Sequence, residues 1–253
     1  MGRVFIFLSV FLLGTYSLEA NCITKVGALS DAKIAESRTI AIIGAAGSLK
    51  GTVARLIKEK ITVIPFSVGE ALRLEVNRGS EAGLKAKPFM ETHRNSPNEV
   101  VAEVVQSFLK SVPNDVALLL DGAPRNQSQL NQLRADLAKI NRKIDIVFEL
   151  GIDLETSKDR INGRLLCPKC QTTFHTRYFV PKVLDTCDHC ESKLTKRSDD
   201  SVEGAEKRWK VYQDETIPAL DQLRTEGIVY SLDGNQPARV LVSRILDILQ
   251  LKR

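Results

Sequence analysis

The stretch Ile40-Ala41-Ile42-Ile43-Gly44-Ala45-Ala46-Gly47-Ser48-Leu49-Lys50-Gly51-Thr52 decides how the rest of the chain is read. Its first four residues are apolar without alternation, which suits a strand covered on both faces. They run into a glycine-rich turn, and the stretch around Val53 to Lys60 follows as a helix. Strand, glycine-rich turn and helix start is an arrangement that cradles phosphate. Glycines let backbone N–H groups close around the oxygens, and the helix N-terminus adds a favourable dipole. Gly44, Ala45, Ala46, Gly47, Ser48, Leu49, Lys50, Gly51 and Thr52 are therefore candidate phosphate-binding residues. Lys50 would reach the terminal phosphates and Thr52 would lie near a magnesium ion. The strict pattern has glycine before the lysine, whereas this chain has Leu49. A leucine there disfavours a positive φ or blocks close approach. Taken alone, the stretch is equally open to a tight turn with an exposed lysine.

Working outward, further short runs rich in Val, Ile and Leu occur at Thr62 to Phe66, Val116 to Leu120, Ile144 to Leu150 and Ile228 to Leu232. Helical patterns separate them, around Glu99 to Leu109 and Gln127 to Lys139, with a last one at Ala238 to Leu251. This order predicts an α/β fold, a parallel sheet with helices on both faces. Ligands of such sheets bind beyond the carboxyl ends of the strands, so function belongs in the turns after those runs. Two segments break the rhythm and read as insertions: polar, helical residues 67–96, and residues 165–197, which hold paired cysteines.

The chain has 253 residues, 43% hydrophobic and 26% charged, the composition of an ordinary soluble globular protein. Its net charge of +5 suits a small polyanion as well as nucleic acid, and no Lys/Arg block indicates a nucleic-acid partner. Residues 1–20 differ. Arg3 precedes an apolar run from Val4 to Leu13, then Gly14 and a more polar stretch to Ala20. The run is too short for a stable membrane span and has the layout of a secretory signal, cleavable after Ala20, so export to the periplasm or beyond is the expectation. A start codon placed upstream of a cytoplasmic enzyme is the alternative. Residues 21–37 read as a polar linker.

Of the five cysteines, Cys22 stands alone. Cys167-Pro-Lys-Cys170 and Cys187-Asp-His-Cys190 are two C-x2-C knuckles separated by sixteen residues. That spacing makes a closed, tetrahedral, structural Zn²⁺ site that folds its segment rather than catalysing. His175 and His189 are spare, on the surface or behind the ligands. Two disulfides, which export would favour, and a zinc ribbon that binds nucleic acid or protein are the rival readings.

The third apolar run ends in Asp121-Gly122-Ala123-Pro124-Arg125, with Gln129 four residues on. A carboxylate at a strand tip beside a phosphate loop can hold magnesium through water; the plainer role is a helix cap. The phosphate loop, this Asp-Gly-Ala-Pro-Arg run, Asp-Arg-Ile-Asn-Gly-Arg at 159–164, Arg-Ser-Asp-Asp at 197–200 and Lys-Arg-Trp-Lys-Val-Tyr at 207–212 come in one order. In that order, over residues 38–253, the chain resembles the adenylate kinases, specifically the long type with a zinc-binding lid.

The resemblance implies a P-loop NTPase-type fold with a five-stranded parallel sheet. Its core would be residues 38–66, 97–163 and 198–253, with a helical insertion that binds the nucleoside monophosphate at 67–96 and a zinc lid at 164–197. It implies ATP with Mg²⁺ as donor, AMP or another nucleoside monophosphate as acceptor, and a monomer. Lys50 resembles the P-loop lysine, and Arg73 and Arg125 the clamps on the acceptor phosphate. Arg164, Arg197 and Arg208 resemble the arginines that close on the transferring group. Arg160 would lie over the donor base, Gln129 would read the acceptor base, and Val68 and Gly122 would contact the acceptor nucleoside. Asp199 and Asp200 resemble a hinge pair of the lid. For Arg208 there is also a structural reading, in which Asp200 and Glu203 cap its helix and Arg208 is a surface partner.

The chain departs from the family at several positions. Leu49 replaces a glycine and Ala46 a proline. Val68 replaces a threonine and Ala123 an aromatic, while Arg94-Asn95-Ser96 replaces a basic residue and two aliphatics. Phosphate grips are kept while base-contacting side chains change. Three functions follow: a working kinase, a nucleotide-binding relative with impaired catalysis because of Leu49, or a zinc-stapled interaction protein.

Overall fold

A computed structural model describes residues 38–170, 172–197 and 199–250. The signal-like segment, the linker and Cys22 lie outside the described residues. No helix among the described residues is long and apolar enough to cross a membrane.

Five parallel strands form the central sheet: β1 (Thr39–Ile43), β2 (Val63–Ser67), β3 (Ala117–Asp121), β4 (Ile146–Gly151) and β7 (Val229–Asp233), in the order β2-β3-β1-β4-β7. β1 lies in the middle, Ile40 opposite Leu119 on one side and Ile146 on the other. All five residues of β1 and of β3 are buried, which is why their sequences are apolar without alternation. The expectation of two covered faces fails at β7. This edge strand pairs only with β4, and Tyr230 and Ser231 are exposed.

Helices cover both faces. On one, α1 (Lys50–Lys58) packs Val53, Ala54 and Ile57 against Leu241, Val242 and Ile245 of α9 (Ala238–Ile248). On the other lie α2 (Val68–Arg78), α4 (Asn98–Leu109), α5 (Gln127–Ala138) and α8 (Ile217–Thr225), which contribute Leu72, Val105, Leu130 and Leu220 to a second core. Each of these side chains is at most 5% exposed. At about 25 cal/mol per Å² such burial is worth roughly 1.5–3 kcal/mol per large side chain, which makes the sheet a rigid base for the loops at its edge.

Two parts stand apart from this sandwich. α2 and α3 (Glu81–Glu91) form a helical pair between β2 and α4, Ser80 capping α3 by accepting from the Gly83 N–H at 3.1 Å. After α6 (Leu154–Asn162), residues 164–197 hold a two-stranded antiparallel sheet, β5 (Arg164–Leu166) with β6 (Thr173–His175). Among the described residues its buried core is Cys167, Phe174, Cys187 and Leu194, with Leu165 and Cys190 packed against them. α7 (Val202–Val211) then leads through one π-helical turn, Tyr212–Thr216, into α8. That turn is pinned from three sides. Tyr212 Oη donates to Glu149 at 3.2 Å, Thr216 Oγ1 donates to the Arg125 carbonyl at 2.8 Å, and Glu215 accepts from Asn95 at 2.8 Å. Such turns in a helix commonly mark functional sites.

Candidate active site

The carboxyl ends of the strands open into one cleft of about 1380 Å³. It is lined by every non-cysteine candidate from the sequence: Gly44 to Thr52, Val68, Arg73, Asp121, Gly122, Arg125, Gln129, Arg160, Arg164, Arg197 and Arg208. Residues scattered over more than 160 positions of sequence thus meet because parallel strands end on the same side.

The loop after β1 is built as a cradle. Gly47 has φ +82, open to glycine at little cost, and a Cβ on Gly44 would lie 2.6 Å from the Leu150 carbonyl oxygen. Leu49 is the irregular point. It occupies the N-cap position of α1 with φ 68 and ψ 11, and its side chain makes no capping bond. A left-handed conformation costs a non-glycine residue about 1–2 kcal/mol. The apolar side chain recovers part of that by packing, half-buried, on the core beneath α1. Lys50 is folded back, its Nζ donating to the carbonyls of Gly44 at 2.8 Å and Ala45 at 2.7 Å and to Ser48 Oγ at 3.2 Å. Burial lowers its pKa to about 7 despite the nearby Asp121, with Arg125, Arg164 and Arg208 adding repulsion.

Asp121 ends β3 and caps no helix; Asn126 caps α5, accepting from the Gln129 N–H. The Asp121 carboxylate lies 3.4 Å from where a Cβ on Gly51 would be, against the first turn of α1. The next residue, Gly122, has φ +73, and its carbonyl accepts from Arg125 Nε at 3.0 Å. Arg73 and Arg125 converge, each with an Nη atom 3.5 Å from the same point above Gly69.

Opposite them, Arg164 makes a two-pronged ion pair with Asp200 through Nε and Nη2. Arg208 reaches Asp199 Oδ2 and the Asp199 carbonyl, both at 2.9 Å, and Asp200 at 3.2 Å. Burial opposes the charge of Asp200, but Arg164 and Arg208 hold its carboxyl below the usual range. The capping reading of Arg208 is therefore corrected: Ser201 caps α7, and Asp200 is turned towards the arginines. Burial, then repulsion from Arg164 and Arg73, lowers Arg197 to about 9. The Nε atoms of Arg73 and Arg197 are buried and without a hydrogen-bond partner. The cluster is short of negative charge, which is what a polyphosphate carries.

Arg160 donates to the Gly234 carbonyl at 2.7 Å and sits 5.9 Å from the centre of the Tyr178 ring. Gln129 is buried, its Oε1 accepting from the Arg125 N–H at 2.9 Å and its Nε2 donating to Asn98 at 3.3 Å. Its amide thus braces Arg125 and Asn98 in addition to facing the cleft. Val68 starts α2 with 3% exposure.

The four cysteine sulfurs lie within 4.8 Å of one another, and all four thiols are free. Sγ–Sγ distances are 3.4 Å for Cys167–Cys190 and 3.5 Å for Cys170–Cys187, too long for a disulfide of about 2.05 Å. A tetrahedral zinc with bonds of about 2.3 Å needs sulfurs about 3.8 Å apart, so the set fits one. N–H groups of Cys170 and His189 donate to Cys167 and Cys187 sulfurs, at 3.4 and 3.5 Å. His175 is not at the surface: it is buried, with Nδ1 accepting from the Arg177 N–H at 2.9 Å.

Sequence reading missed three groups near this cleft. Glu70 lines it, its carboxyl raised above the usual range by burial and by Asp121. Arg177 and Tyr178 both reach Asp159 of α6, tying the cysteine-bearing segment to the sheet domain. His93 packs on Gly204 of α7. A charge beside Arg73 could have drawn attention to Glu70; the other contacts leave no local signal.

The adenylate kinase family model matches residues 42–228. The chain belongs to the adenylate kinase family. It is 35% identical over 208 residues to the adenylate kinase of Archaeoglobus fulgidus, covering 82% of this chain and 96% of that enzyme. To the adenylate kinase of Methanosarcina barkeri it is 33% identical over 211 residues, 83% of this chain and 98% of the relative. An adenylate kinase of Caldanaerobacter subterraneus is 34% identical over 197 residues, 78% and 89% of the two chains. Membership makes the chain a phosphotransferase.

Two outcomes follow from the loop. Leu49→Gly, by removing the left-handed penalty and a side chain from the cradle, tightens ATP binding about five- to tenfold in a calorimetric titration. ATP binding at pH 8 takes up a proton, because a phosphate beside Lys50 favours the ammonium form and raises a pKa of about 7 back towards 10.5. Titration in two buffers of different ionisation enthalpy reads that uptake, and Lys50→Met abolishes it.

Proposed function

We propose that this protein transfers the terminal phosphoryl group of ATP to AMP, giving two molecules of ADP. An oxygen of the acceptor phosphate attacks the γ-phosphorus in line as the bond to the β,γ-bridging oxygen breaks, and ADP leaves with that bond's electrons. No covalent enzyme intermediate is needed. The observation that carries this reading is the gathering of Lys50 and five arginines, 73, 125, 164, 197 and 208, along one cleft with unpartnered guanidinium N–H groups. The names of the relatives support it further.

In this reading Gly44 to Thr52 hold the donor phosphates and Arg160 lies beside the donor base. Arg73 and Arg125 grip the acceptor phosphate, and Val68, Gly122 and Gln129 contact its nucleoside. Arg164, Arg197 and Arg208 stabilise charge spreading over the equatorial oxygens, for which planar guanidiniums are suited. Asp121 and Thr52 would hold Mg²⁺ that arrives with ATP; oxygen donors suit that ion, and it supplies charge neutralisation when bound.

Residues 67–96 and 164–197 act as two covers that close on the substrates and exclude water, so that AMP rather than water receives the phosphoryl group. A zinc ion on Cys167, Cys170, Cys187 and Cys190 keeps the second cover folded, since four buried apolar residues make too little core on their own. The enzyme works as a monomer on this reading. Export is proposed from residues 1–20 of the sequence alone.

A second reading, nucleotide binding with impaired catalysis, is favoured by the left-handed Leu49 and by Lys50, whose donors are all engaged within the loop. A coupled assay for ADP from ATP and AMP separates the two. Turnover is the expected result, with Arg197→Ala or Arg208→Ala lowering kcat about 100- to 1000-fold; binding of both nucleotides without ADP formation selects the second reading. Removing metal with a chelator is expected to lower turnover at least tenfold and to make residues 164–197 protease-sensitive. Unchanged activity in fully metal-free protein would argue against the zinc staple.

A further inference from the structure

His93 follows α3, at the end of the helical pair assigned above to the acceptor, and it is in the left-handed region with φ 60. A non-glycine residue stays there only when its surroundings hold it. What holds His93 is α7. A Cβ built on Gly204 would lie 2.5 Å from its Cε1, 2.8 Å from Nε2 and 2.9 Å from Nδ1. Three ring atoms at nearly equal distances mean that the imidazole lies flat on the helix over a residue with no side chain. Gly204 also anchors its surroundings. Its N–H donates to the Ser201 cap at 2.9 Å, and its carbonyl accepts from Arg208 Nε at 3.2 Å.

We propose that His93 and Gly204 form a size-matched interlock by which the acceptor-side helices set the position of Arg208, making His93 a positioning residue for phosphoryl transfer. The inference rests on the kinase reading above and adds a coupling between acceptor binding and the arginine that meets the transferring group.

The interlock favours a neutral ring. His93 Nδ1 is buried with no hydrogen-bond partner. Burial first, then Arg208 and Lys207, lowers the imidazole pKa, while Asp199 and Glu203 oppose this. Those four groups belong to α7 or its lead-in; on the histidine's own side, the charged neighbour Arg94 stacks on Phe89 at 5.1 Å. When the contact opens, the ring returns towards its ordinary value of 6.5. The interlocked form therefore binds fewer protons than the open form as pH falls below about 6.5. Its contribution is complete above that pH and is lost in acid.

The test uses the full chain and a bisubstrate analogue, two adenosines joined by five phosphates, with affinity read by calorimetry. Gly204→Ala overfills the contact and is expected to weaken binding about tenfold. In a His93→Gly background, which has already lost the interlock and leaves room for the methyl group, Gly204→Ala should weaken binding by less than about a further twofold. Between pH 7.5 and 5.5 the ratio of native to His93→Gln affinity should fall several-fold, because only the native ring titrates. Equal damage by Gly204→Ala with and without His93, or a pH-independent ratio, overturns the interlock. If Gly204→Ala fails to fold by circular dichroism, the pH ratio decides. Failure of the native protein to bind the analogue would sink the kinase reading and this proposal together, whereas tight native binding with unaffected variants sinks this proposal alone.

Discussion

Like charges crowded into one partly buried cleft are the constraint on which this structure depends. Arg73 and Arg125 each place a nitrogen 3.5 Å from one point, so those nitrogens are no more than about 7 Å apart. At an effective dielectric of about 20, two unit charges at that distance repel by roughly 2 kcal/mol. Lys50, Arg164, Arg197 and Arg208 add to the same field. The protein holds these groups with carboxylates placed around the cleft. Asp200 is shared by Arg164 and Arg208, Asp199 also takes Arg208, and Asp121 faces Lys50. The compensation is partial: burial first, with repulsion from neighbouring arginines added, still lowers Lys50 to about 7 and Arg197 to about 9. On the proposed reading a polyanion completes it, so that affinity for phosphates would follow from how the cleft is charged.

The rest of the fold can be understood as support for that cluster. A sheet buried on both faces except at β7 seats the strand ends, and the π-helical turn at Tyr212–Thr216 is tied to β4, to Arg125 and to Asn95 at once. The segment at residues 164–197 lacks such support. Among the described residues its buried apolar core is four residues, two of them cysteines, while Val180, Val183 and Leu184 are exposed. A chain so short of core needs a cross-link or a metal to hold a shape, and the four sulfurs are arranged for a metal.

Leu49 is the clearest case in which one residue opposes the local rule and its neighbours absorb the conflict. The turn requires a left-handed residue and the side chain is tolerated because it packs on the Ile57–Leu241 side of the sheet. His93 repeats the pattern, with Gly204 providing the room. In both places a strained backbone sits beside the cationic cluster.

Much of the fold was legible in the order of residues. Five apolar runs, glycine-rich turn and Asp121 all express local rules: both-face burial removes alternation, and a chain closing on phosphate needs residues without bulk. The cysteine spacing was legible for the same reason, because a metal's ligand geometry constrains short loops. Which carboxylate each arginine pairs with, that Gln129 braces Arg125, that β7 is half exposed and that His175 is buried were decided only by tertiary structure. These depend on how strands are ordered and helices seated, and contacts made only when separate elements meet leave no periodic trace in either partner. The amino-acid sequence alone determined that a glycine-rich turn, a lysine and a set of arginines suited to phosphate are present. Packing decided that they share one cleft, how far their charges compensate, and which small residue, Gly204, leaves space for His93.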